Sequence, residues 1–198
     1  MKNYLLGLLL ILIVAPSSAA MADDPTPIVV LPMGLSTRAA ERYPQLAEQD
    51  VGFGIHNMLV NHLYDTGNYR MVEEKKEILD DLLERQWMSA SGAIDQASAV
   101  QYGQLLGARF VVYGEVYDFS VRKVKRKLAE TTISIQIRFV DVETAEFIPG
   151  SAVGAVTQKG GVFPDDMTEF ARSTVGLATD AALQKAVEQL NERLSPRY

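Results

Sequence analysis

The chain contains no cysteine. Disulfide bridges, zinc ribbons, thiol catalysis and thioether attachment of haem are therefore excluded, and with them a lipid anchor on an N-terminal cysteine. Histidine is almost absent as well. His56 and His62 are the two present, and six residues of helix turn them well over a right angle apart. One helix face could not offer both to one metal, so they read as structural or surface side chains. After Val14 no apolar run approaches the roughly twenty residues of a membrane helix. No G-x-S-x-G, Walker loop or dinucleotide fingerprint occurs. "GQLLGARF" has two glycines, yet the first opens no helix after a strand. Acid pairs such as Asp80-Asp81 and Asp165-Asp166 are ordinarily solvated. The chain reads as no enzyme and needs no metal or cofactor. An envelope hydrolase working with a carboxylate pair is the alternative of another class, and it requires two facing carboxylates in a cleft.

The ends of the sequence speak of export. Lys2 is a positive n-region, Leu5 to Val14 an apolar run too short to span a bilayer comfortably, and "APSSAAMA" places Ala20 and Ala22 in A-x-A spacing. Residues 1–22 are thus expected to be a cleavable signal peptide, and 23–198 one periplasmic domain. Loss of Lys2 takes the formal charge from −6 to −7.

Within that domain, "PIVVLPM" reads as a buried strand and residues 34–45 as loop. Val51, Ile55, Met58, Leu59 and Leu63 recur at helical spacing over 46–64, before the turn chemistry of Asp65-Thr66-Gly67-Asn68. "YRMV" is a short strand. Ile78, Leu79, Leu82 and Leu83 mark a second helix, "SASG" a loop, and 93–106 a third helix stopped by Gly107. A long strand begins at "ARFVVYGEV". Ile133, Ile135, Ile137 and Phe139 alternate with polar residues in a half-buried strand. A turn at 141–145 leads to a third antiparallel strand at 146–158, where Pro149, Gly150 and Gly154 point to an edge strand or a bulge. An amphipathic helix through Val175, Leu183, Val187 and Leu190 closes the chain. The fold class is α/β (α+β): one mixed sheet with a C-terminal antiparallel meander, packed by helices.

Arg122, Lys123, Lys125, Arg126 and Lys127 put five bases into six positions at the expected hairpin tip of an acidic protein. Such lysines can simply guard an exposed sheet edge. They can also form a contact for an anionic envelope polymer or for an acidic patch on a partner or second copy. Nucleic acid is not the expected partner, since the run has no interleaved aromatics.

Several segments resemble the curli secretion channel (CsgG) family, whose kind of fold is shared with TolB N-terminal-like periplasmic domains. Thr66, Gly67, Tyr69, Val72 and Glu73 fit its "T-G-x-F/Y-x-V-V-E" motif. Gly103, Leu106, Gly107, Ala108, Gly114 and Val116 fit "G-x-x-L-G-A-x-x-x-x-G-x-V". Val140, Asp141, Thr144 and Glu146 fit "V-D-x-x-T-G-E-I", with Ala145 in place of the usual glycine. The resemblance implies structural roles for Gly67, Gly103, Gly107, Gly114 and Asp141, self-association in a ring, and work by binding in secretion or assembly. Regulation of a peptidoglycan or exopolysaccharide synthase is the second reading. Two departures stand out. The lipidated cysteine is missing, and the family's transmembrane hairpin has shrunk to "YDFSVRKVKRKLAETT". Val121, Val124 and Leu128 are too sparse for a lipid face, and no pore is expected.

Overall fold

The computed structural model describes residues 24–48, 51–72, 95–125, 128–159, 162–163 and 167–194. The expected signal peptide, the second helix with its "SASG" loop, both acid pairs, and Arg126 and Lys127 lie outside the described residues.

The first half alternates strand and helix. β1 (Thr26–Val30) is followed by β2 (Gly34–Leu35), α1 (Thr37–Arg42), α2 (Gln45–Glu48), α3 (Val51–Asp65) and β3 (Tyr69–Met71). Then come α4 (Gln96–Leu106), β4 (Phe110–Lys125), β5 (Leu128–Asp141) and β6 (Phe147–Gln158). A 3-10 turn (Met167–Arg172) and α5 (Thr174–Leu194) complete the chain. The sheet order is β3-β1-β4-β5-β6, with β2 also on β4. β1 runs parallel to β3 and β4, whereas β4, β5 and β6 are antiparallel. One mixed sheet with a terminal meander is the architecture expected from the periodicities.

Residues 34–45 are not the plain loop expected. Ser36 accepts a hydrogen bond from the Ala39 backbone N–H at 3.2 Å and so caps α1, the ordinary use of serine at a helix start. The third helix begins at Gln96 behind its cap Asp95, which accepts from the Ser98 N–H at 3.0 Å. Hydrogen bonds from Ser98 hold the Asp95 carboxyl below the usual carboxylate range. Both helices facing a turn end on glycine: Gly67 and Gly107 have φ of 72° and 70°, backbone that a side chain would strain.

The two sheet faces are covered differently. On one, Ile133, Ile135, Ile137 and Phe139 meet Ile55, Leu59 and Leu63 of α3 and Val175, Leu183 and Leu190 of α5. Each such fully buried side chain stabilises the fold by about 1.5–3 kcal/mol. On the other, Ala99 and Tyr102 of α4 pack on Val29, Val111 and Val140. Gly103 lets that helix approach, because a Cβ there would stand 2.4 Å from a Val142 methyl. β6 lies at the sheet edge and its register with β5 runs without a bulge from Gln158 to Phe147. The glycines of β6 answer to α5 instead. A Cβ on Gly154 would lie 1.8 Å from the Ala178 carbonyl oxygen, and one on Gly150 2.9 Å from Leu190.

Candidate interaction surface at the end of the meander

β4 is the spine that joins the two ends of the molecule. Its first residue, Phe110, sits beside β1, and its last, Lys125, pairs with Leu128 at the far end of the hairpin. A register shift between Val116 and Asp118 marks a bulge, which adds local twist to the ribbon. Beyond it Phe119 is still core, packed edge-on against Tyr43 at 4.8 Å between ring centroids. Val121 is the last β4 side chain that reaches this core.

The expected basic residues do not behave alike. Arg122 lies directly across from Glu130, and its Nε donates to that carboxylate at 2.9 Å. Lys123 and Lys125 face Ala129 and Leu128 and are exposed. Among the described residues neither has an ion pair. Val124 between them is 42% exposed. Lys159 is a residue that sequence reasoning missed. It follows Gln158, which pairs with Ala129, so β6 delivers a further exposed cation to the same end. Thirty-odd residues separate Lys159 from the basic run, and only the strand register brings them together.

The opposite end holds an open cleft of about 910 Å³, lined by Asp24, Tyr69, Gly107, Arg109, Glu143 and Asn191 among others. The C-terminal ends of α3, α4 and α5 converge on it, which gives it a negative bias. Arg109 bridges Asp141 at 2.8 Å and Glu143. Asp141 is 2% exposed and its other oxygen accepts from the Glu143 and Thr144 N–H groups at 2.8 and 3.1 Å. The carboxylate thus builds the β5–β6 turn and anchors the arginine at once. Ala145, where the family motif has glycine, takes a φ of 57° in that turn. Gly114 is mid-strand, and a Cβ there would collide with the Gln136 carbonyl oxygen at 2.1 Å. Tyr69 donates to Asn191 at 2.7 Å, and burial pushes its phenol up to about 12. His56 sits 3.3 Å from the Leu31 carbonyl, and His62 2.8 Å from Asp180. Each histidine links α3 to a different neighbour.

The family model for the curli production assembly/transport component CsgG matches residues 17–197. The chain belongs to that family. No curated protein matches it. Among solved structures, the hypothetical protein CT253 from Chlamydia trachomatis superposes with a TM-score of 0.51 at 16% identity, over 84% of this chain and 95% of that one. The PelC dodecamer from Paraburkholderia phytofirmans gives a TM-score of 0.50 at 15% identity, over 84% and 88%. Such likenesses show the fold. No helix of the described residues is long and apolar enough to cross a membrane.

Proposed function

We propose that this protein is a non-enzymatic accessory of secretion or assembly in the cell envelope, exported to the periplasm by residues 1–22 and acting there by binding. Membership of the curli production family supports the class of work. The observation that carries the reading is the end of the meander, where Lys123 and Lys125 stand exposed beyond the core. Arg122, Arg126 and Lys127 complete the basic run. The proposed partner of this surface is anionic: an acidic patch on another copy or an envelope protein, or an acidic envelope polymer. The dodecameric state of PelC supports self-association as one form of that binding. Gly67, Gly103, Gly107, Gly114 and Asp141 serve in this reading as the scaffold that aims the surface.

The first test is the solution mass of the chain from Asp23 onward, by light scattering at low and high salt. Contacts between exposed charges are screened within about 10 Å at 0.1 M salt. An assembly that shrinks in salt, and shrinks equally in the double variant Lys123→Glu, Lys125→Glu, is the expected result. A monomer under all conditions that also ignores acidic polysaccharide would sink the proposal.

A further inference from the structure

β6 is the last strand in the sheet order, and among the described residues no strand pairs with its outer edge. The parity of its hydrogen bonds identifies which groups face outward. The Asp141 N–H donates to the Glu146 carbonyl at 2.9 Å, which makes Asp141 and Glu146 a hydrogen-bonded pair in the β5–β6 register. Even-numbered residues of β6 therefore bond to β5, and odd-numbered ones turn away from it. Two side chains of α5 confirm the direction. Lys185 Nζ reaches the Val153 carbonyl at 3.4 Å, and Arg193 donates to the Pro149 carbonyl. Pro149 itself has no N–H to offer. Beyond it, Ser151, Val153, Ala155 and Thr157 are all exposed, and among the described residues no acceptor meets their outward N–H groups.

Half of this edge is defended and half is not. Proline and the two α5 cations occupy the Pro149–Val153 stretch, as edge strands ordinarily require. Among the described residues the stretch from Gly154 to Gln158 has no such cover, and it spans about 16 Å. Two exposed cations flank it, Lys185 at Val153 and Lys159 beyond Gln158, and Glu130, across from Thr157, is held by Arg122. Glu188, the nearest acid on α5 to Lys185, accepts from Gln184 at 3.2 Å, one turn back. A second pocket of about 510 Å³ opens beside the edge between Tyr117, Ser134, Gln136, Val153, Lys185 and Gln189.

From these features we infer that the outer edge of β6 is a strand-addition site for an extended peptide with acidic side chains. The peptide backbone continues the ladder on Ala155 and Thr157, beyond the Val153 carbonyl that Lys185 holds. Its carboxylates meet Lys159 and Lys185, and one side chain enters the pocket beside Tyr117. Main-chain bonds give such a site its affinity, and alternate side chains give its selectivity. The inference shares Lys159 with the hairpin end but not Lys123 or Lys125, which lie on β4 and not on this edge.

The test uses the purified protein and a labelled eight-residue peptide of alternating valine and glutamate, with the valine–lysine peptide as control, followed by fluorescence anisotropy. Ala155→Pro removes one outward N–H and leaves the β5 ladder untouched. Thr157→Pro does the same one pair further on, should the first variant fold poorly. Native Pro149 occupies the same class of position. The expected result is saturable binding of the glutamate peptide, weakened about tenfold by either proline and about tenfold again by Lys159→Glu with Lys185→Glu. Equal affinity for the lysine peptide, or binding untouched by both prolines, overturns the proposal. So does the absence of saturation below about 1 mM, which would leave the cations as edge guards. Self-association of the wild type that Ala155→Pro abolishes would also overturn it, by giving the edge to a second copy.

Discussion

At the scale of single residues, the turn after β5 carries a small built-in strain. Ala145 holds a φ of 57°, and a residue with a Cβ in left-handed backbone is disfavoured by about 1–2 kcal/mol. Glycine removes that cost but adds freedom to the unfolded chain, worth about 0.4–1 kcal/mol in the other direction. Ala145→Gly is therefore expected to stabilise by about 0.5 kcal/mol, a rise of roughly one or two degrees in Tm for a domain of this size. Differential scanning calorimetry reads it directly, and a fall in Tm would show that the turn gains nothing from glycine. The substitution of the motif's glycine was visible in the sequence, but not its cost. Only the backbone angle reveals that. Asp141 was legible in the same way. The motif marked it, while its bond to Arg109 emerged only when distant strands were side by side.

At the scale of elements, the packing of α5 on β6 depends on the absence of side chains. Ala178, Ala182 and Ala186 of the helix are fully buried, and they face Gly150 and Gly154. A methyl group on Gly154 would meet the helix backbone itself, 1.8 Å from the Ala178 oxygen and 2.8 Å from the Ala182 nitrogen. Backbone cannot rotate aside as a side chain does, so Gly154→Ala must displace the helix. Overpacking of this kind costs about 1–3 kcal/mol, occasionally more. A urea midpoint lowered by at least about 1 kcal/mol equivalent is expected, and an unchanged midpoint would mean that α5 lies further from the sheet. Sequence reasoning took these glycines as signs of an edge or a bulge. The edge is there, the bulge is not, and the reason is the helix, which period-two patterning of β6 cannot show.

At the scale of the whole molecule, the sheet and α5 meet at the buried Tyr69 phenol. The Tyr69 ring lies tilted at 53° against Phe139, with ring centroids 5.5 Å apart, and its hydroxyl donates to Asn191 of α5. Its pKa rises from 10.0 to about 12 because burial disfavours the phenolate. The sign follows from linkage. Below pH 10 the group is neutral in both states and its contribution is complete. Between about 10 and 12 the unfolded chain ionises first, so stability falls as pH rises through that window. Tyr69→Phe is expected to flatten this alkaline decline while losing about 1 kcal/mol at neutral pH with the hydrogen bond. Urea melts at pH 8 and pH 11 separate the two effects. Equal pH slopes in both proteins would show that the phenol titrates normally.

Local pattern determined much of this protein. Alternation along 133–139, helical spacing in α3 and α5, and glycines after α3 and α4 are properties of a few neighbouring residues, and they fixed the elements and their order. The motifs around Gly67, Gly107 and Asp141 identified the family for the same reason: turns and caps are local chemistry. The tertiary structure alone decided what the elements do to one another. It neutralised Arg122 with Glu130 across a strand pair, brought Lys159 to the end of the meander, and set Lys185 and Arg193 along the outer edge of β6. Charge and hydrogen-bonding surfaces are assembled from residues far apart in the chain, and their positions depend on register and packing that no single stretch of sequence contains.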